Sequence, residues 1–206
     1  MEKKYKLTDE TINVNGKTLY RIKSLKDFGN VKKGDKGGFI EKECNLSQSG
    51  DCWVYHNAKV YNNAKVFDYA DIYGNAEIFG NAIVSGNARV YGNAKVYHYA
   101  MVYDDAEVCD NAIISGNAKV YGNAKVYNYV MVYGNAKVYD KAIICGDAMV
   151  YNNAEIYGSA EVYDDAMVYG NAKVYGSAEV GGDAKVYGNV EFCDNTIVYG
   201  DAVVCG

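Results

Sequence analysis

The side chains able to do chemistry fall in rows. His56 and His98 are the two histidines, the side chains that titrate nearest neutral pH. Both stand in slots that the rest of the chain fills with Gly, Asn or Asp, which reads as a turn position. At intervals of eighteen residues come Asp147, Asp165, Asp183 and Asp201, with Asp164 beside Asp165. Carboxylates about 5 Å apart repel unless a cation or a raised pKa intervenes, so this row is a candidate Ca²⁺ site. The alternative is Asp bonding its own turn backbone in water; no other cofactor is expected. Six cysteines show no metal-ligand spacing. Cys109, Cys145, Cys193 and Cys205 share an outward slot otherwise held mostly by Tyr. Cys109 and Cys145 share a face at roughly 9–10 Å, too far for a disulfide. Free thiols fit a reducing compartment. No phosphate-cradling glycine loop, catalytic carboxylate pair or Ser-His-Asp set is recognisable.

The same interval aligns Ile113, Met131, Met149 and Met167, flanked by Tyr133, Tyr151, Tyr169 and Tyr187. An outward apolar and aromatic strip of this kind is a candidate contact surface for a second copy of the chain or another protein. The alternative is that Tyr simply suits strands. Asn117, Asn135, Asn153, Asn171 and Asn189 form a prospective amide ladder. Arg89, Glu107 and Lys125 alternate in sign on one face, and Lys137, Glu155, Lys173 and Glu191 on another. Such pairs help fix register, at roughly 0.2–1 kcal/mol each.

What positions these rows is a six-residue period running unbroken over residues 51–206. The unit reads Val-Tyr-Gly-Asn-Ala-Lys. Alanine recurs from Ala58 to Ala202, interrupted only by Val130, Val190 and Thr196. An aliphatic residue follows two places later, from Val60 to Val204, with Phe192 the exception. In an extended strand Ala and Val then point one way and Lys and Tyr the other. Gly, Asn, Asp and Ser between Tyr and Ala tolerate left-handed backbone angles, so the chain turns there. Each unit is one short strand and one corner, and three units close a triangular coil of eighteen residues. A helix is excluded by the period and the recurrent Gly.

Val60-Tyr61-Asn62-Asn63-Ala64-Lys65 and its successors resemble the repeat of the left-handed parallel β-helix, hexapeptide-repeat proteins. The resemblance implies an all-β, single-stranded, left-handed solenoid. The head followed by Cys52-Trp53-Val54-Tyr55 resembles a bacterial and phage subset often labelled putative transferases. Many members of the wider family are trimeric acyltransferases with a His base and an extruded loop. This chain has no insertion after residue 51, and its histidines sit in turn slots. Other members bind metal for carbonate chemistry through histidines on neighbouring coils, which two histidines forty-two residues apart cannot reproduce.

The chain of 206 residues reads as a cap over residues 1–45 and one repeat domain over residues 46–206. Asn15-Gly16 between Val14 and Leu19 signals a hairpin. The glycines at 34, 37 and 38 signal a looped connection. Leu46 and Cys52 lie in phase with the alanine row, so the first coil is expected near Leu46, and the last coil is expected to leave a strand edge able to pair. Triplets such as Asp68-Tyr69-Ala70, His98-Tyr99-Ala100 and Asn128-Tyr129-Val130 recur every thirty residues, which is five units and no whole number of coils. Net charge of −5 argues against nucleic acid as partner. The absence of a signal peptide and of eighteen consecutive apolar residues points to a cytoplasmic protein without membrane contact. The expected function is non-enzymatic: a rigid prism binding itself or another protein. The resemblance also permits a phage-type protein inhibitor. The alternative is an acetyl-CoA-dependent acyltransferase with an inter-subunit site near His98.

Overall fold

A computed structural model of the chain describes residues 3–206 and is an all-β parallel solenoid. Its rungs build three sheets of twelve, nine and eight strands. Three of the twelve are N-terminal strands, so about nine coils remain. No α-helix occurs among the described residues, and Glu43–Asn45 forms one 3₁₀ turn.

Each rung strand pairs in parallel with the rung eighteen residues on. Ile113 faces Met131, Met131 faces Met149 and Met149 faces Met167 on the first face, here called the Met face. Lys137 faces Glu155 on the second, the Lys face. Arg89 faces Glu107 on the third, the Arg face. Each unit donates backbone N–H groups to the next coil. Asn135 reaches Asn152 O at 2.6 Å, Lys137 reaches Ala154 O at 2.9 Å and Tyr139 reaches Ile156 O at 3.0 Å. This satisfies the backbone where a two-residue strand could not do so alone.

The shaft is filled as the period requires. Ala94, Ala136 and Val138 are fully buried, as is Val130 in the alanine row. A small residue beside a branched one matches the narrow interior, and burying each valine contributes roughly 1.5–3 kcal/mol. The first residue of nearly every corner has positive φ, whether it is Gly, Asn, Asp or His. His56 (φ 51°) and His98 (φ 60°) are two of these.

At the N-terminus, β1 (Tyr5–Val14) and β2 (Lys17–Ser24) form the hairpin, turning at Asn15 and Gly16, both at positive φ. The expected loop over the next glycines is instead β3 (Lys36–Ile40), antiparallel to β2 and parallel to the rung Lys59–Val60. Glycine is needed there for close approach. A Cβ on Gly37 would lie 2.5 Å from Val54 O, and one on Gly38 2.5 Å from Ala58 O. The parallel stack therefore begins ahead of Leu46, which bridges to Val66 rather than to Ala64. The corner over residues 47–52 is two residues longer than later ones, which shifts this first register.

The head is tied down by polar contacts as well as packing. Trp53 is buried edge-on beneath Tyr5 and Phe28, at 6.0 and 5.4 Å between ring centroids. Buried Lys4 donates from Nζ to Cys52 O at 2.9 Å, Gly50 O at 3.1 Å and Cys52 Sγ at 3.3 Å. Desolvation holds its ammonium pKa below the usual lysine range.

Candidate functional site

On the Met face three neighbouring rows change character within two successive coils. The first outward row runs Lys59, Glu77 and Lys95, then Ile113, Met131, Met149 and Met167, then Lys185. The second begins as a stacked set, Tyr61–Phe79 at 5.0 Å and Phe79–Tyr97 at 4.8 Å. Ser115 interrupts it. A new ladder follows, with Tyr133–Tyr151 at 4.9 Å, Tyr151–Tyr169 at 4.7 Å and Tyr169–Tyr187 at 4.9 Å, interplanar angles of 1–10°. The corner preceding the face starts as amides, Asn75 donating to Asn93 and Asn93 to Asn111, both at 3.2 Å. It then presents Tyr129, which is 62% exposed, and after it Asp147, Asp165, Asp183 and Asp201. The corner after the face carries the amide ladder, Asn117 to Asn135, Asn153, Asn171 and Asn189, at 2.9–3.0 Å per step.

The expected strip residues are thus brought together on adjacent rungs of one face. Ile113, the three methionines and the four tyrosines are each partly exposed. Burial raises the phenol pKa of Tyr133 and Tyr151 above the usual range. Tyr187 is raised chiefly by its hydrogen bond to Cys205. No Asp, Glu, Lys, Arg or His stands in the two rows of the strip between Lys95 and Lys185.

An open cleft runs along the acidic corner, lined by Tyr129, Asp147, Asp164, Asp165 and Asp183 together with the intervening glycines. Asp164 Oδ2 accepts from Gly182 N–H at 3.2 Å, the same bond that Asp104 makes to Gly122 and Asp140 to Gly158 elsewhere. Among the described residues no group of three or more His, Cys, Asp or Glu side chains converges as metal ligands would.

The other two faces carry ion pairs. Lys137–Glu155 closes at 2.8 Å, Lys173–Glu191 at 2.7 Å and Arg89–Glu107 at 3.3 Å. The Lys face also bears a ladder of five rings, Tyr103 to Tyr175, at 4.8–4.9 Å. There Tyr139 donates to Glu155 Oε2 at 3.4 Å, so ladder and ion pairs are joined.

His56 and His98 lie on different edges of the prism, one leading into the Met face and one leaving it. His98 is exposed with its ring edge-on to Tyr97 at 4.7 Å. His56 borders a cleft with Asn30, Tyr55, Asp71, Tyr73 and Arg89. Sequence reasoning passed over Asp71 in that cleft. Burial is the main cause that lifts its carboxyl pKa above the usual range, opposed by a hydrogen bond from Tyr55. The sequence signal was a short Asp side chain in a slot otherwise held by Lys, Arg, Glu or an apolar residue. The six cysteines are all free; burial raises the Cys109 thiol pKa, opposed by its hydrogen bond with Tyr91.

A family model described as YdcK Beta solenoid repeat matches residues 88–104. No curated protein shows a significant match to the chain. No helix of the described residues is long and apolar enough to cross a membrane.

Proposed function

We propose that the chain is a non-enzymatic scaffold whose Met/Tyr strip is a protein-contact surface, occupied first by a second copy of the chain. The observation that supports it is the joint change of three rows at one place on one face. Lys and Glu give way to Ile113 and Met131, the tyrosine ladder restarts at Tyr133, and the corner changes from Asn to Tyr129 and Asp. Tyrosine suiting strands accounts for one row and leaves the other two unexplained. A stiff wall also loses little conformational entropy on association. Left-handed winding fits the hexapeptide-type repeat, and free thiols fit a cytoplasmic setting.

Light scattering tests the reading. The wild-type mass is expected above that of one chain, and Met131→Glu with Met149→Glu is expected to bring it down to one. The slot accepts Glu at positions 77 and 155, so the double variant is expected to fold. A mass that the double change leaves unaltered would overturn self-association through this strip. Turnover of acetyl-CoA that His98→Ala abolishes would overturn the non-enzymatic reading in favour of an acyltransferase.

A further inference from the structure

The cleft beside the head is built unlike the rest of the Arg face. It has a volume of about 340 Å³ and is lined by residues of the first three coils together with Asn30. Asn30 reaches it from a tight turn of the head, closed by backbone hydrogen bonds between Phe28 and Val31 at 2.8 and 3.0 Å. Along it the ring ladder opens. Tyr73 and Tyr91 stack at 4.7 Å and 3°, whereas Tyr55 stands at 90° to Tyr73 with 6.5 Å between centroids. Two groups of opposite sign, Asp71 and Arg89, line the same wall on consecutive rungs. Where a cation holds the rung before an acid in this slot, the acid closes on it, as Glu77 does on Lys59 at 2.9 Å and Glu107 on Arg89 at 3.3 Å. The rung before Asp71 offers Trp53 instead. Among the described residues Asp71 has no ion pair, and the Arg89 guanidinium makes no hydrogen bond besides the one to Glu107. Burial lifts the Asp71 carboxyl pKa above the usual range, a shift that an arriving cation relieves by favouring the charged form.

We infer that this cleft binds a compact zwitterion of the α-amino-acid class, its ammonium on Asp71 and its carboxylate on Arg89. The wall carries one acid and one cation, so a ligand of a single charge is attracted by one and repelled by the other. Adjacent parallel rungs lie about 4.8 Å apart, a spacing that suits charges carried on neighbouring carbons. The rings of Tyr55 and Tyr73 flank the ammonium and offer apolar surface to a side chain. Asn30 and His56 complete the rim with groups able to donate to a carboxylate. The inference goes beyond self-association. The cleft is on the Arg face over the first three coils, while the strip begins one coil later on the Met face, so either reading can fail without the other.

The test is an NMR titration of the two histidine rings with L-leucine, at about pH 7.5, above the ordinary histidine range. His56 borders the cleft and His98 lies on a different edge of the prism, so one ring reports and the other is the reference. Signals of His56 are expected to shift saturably while those of His98 stay fixed. Leucine without its carboxylate (3-methylbutylamine) and leucine without its ammonium (4-methylpentanoate) are each expected to bind about tenfold more weakly. Asp71→Asn and Arg89→Gln each remove one charge at nearly constant size. Each is expected to weaken leucine binding about tenfold, with circular dichroism checking the fold. Lys137→Gln, on the Lys face, is expected to leave the titration unchanged. The inference is overturned if His56 does not respond to leucine or if His98 moves as much. It is equally overturned if either singly charged analogue binds as tightly as leucine, or if either cleft variant binds as wild type does.

Discussion

The tyrosines set the chemistry of this surface at the scale of single residues. Each ring stacks on the ring one coil away, and each such pair is worth about 0.5–1.5 kcal/mol beyond burial. Tyr151 has a partner on either side. Tyr151→Ala is expected to cost about 1–3 kcal/mol, read as a lower denaturation midpoint. The same environment governs ionisation. Tyr61 is pushed up to about 12 by burial and by Glu77, and Tyr127 to about 12 by its hydrogen bond to Cys145 and by burial. A phenol with a raised folded pKa holds its proton longer folded than unfolded. Its stabilising contribution is whole below the ordinary tyrosine value of about 10 and is lost as pH rises towards about 12. Melting temperature is expected to fall across that alkaline window while tyrosinate absorbance appears late. The tyrosine rows were visible in the sequence as every eighteenth position. The lean of Tyr163 over Gly181 towards Tyr199, at 6.3 Å, was not. It depends on empty space above a glycine, which no period announces.

Among the elements, the repeat and the head differ in how much the sequence reveals. Two-residue strands and positive-φ corners follow directly from alternation and from Gly, Asn and Asp, so the rung rows were legible to the residue. In the head, Asn15-Gly16 announced the hairpin correctly, whereas Gly37 and Gly38 looked like loop. Their role is steric, and contact with Val54 O and Ala58 O exists only once the coil has formed. Gly38→Ala is expected to unseat β3 from its rung and to cost roughly 1–3 kcal/mol, as overpacking does. Quenching of Trp53 fluorescence by acrylamide would then rise, because β3 covers that face of the head. Unchanged quenching and unchanged stability would contradict the seating described for β3. The long corner around Gly50 likewise escaped a reading based on fixed period. Its two added residues accompany the seat of Lys4, whose nitrogen binds Gly50 O and Cys52 O.

For the whole molecule, stacking turns a local six-residue pattern into long uniform walls, because each coil touches only its neighbours. Departures from uniformity are what set one part of such a body apart from the rest. The largest is the half of the Met face from Ile113 to Met167, bordered by Tyr129, the acid row and the amide ladder. Its composition was legible in the sequence. Whether anything docks on it was not, since periodicity fixes which residues share a wall and nothing more. The five methionines include Met131, Met149 and Met167 on this wall and Met101 on the Lys face, which serves as a built-in reference. Methionine-methyl NMR over a concentration series therefore tests the central claim most directly. Signals of Met131, Met149 and Met167 are expected to shift or broaden together as the protein is concentrated, while Met101 stays fixed. Equal movement of Met101, or a strip that remains silent at every concentration, would contradict the assignment of this face as the contact surface.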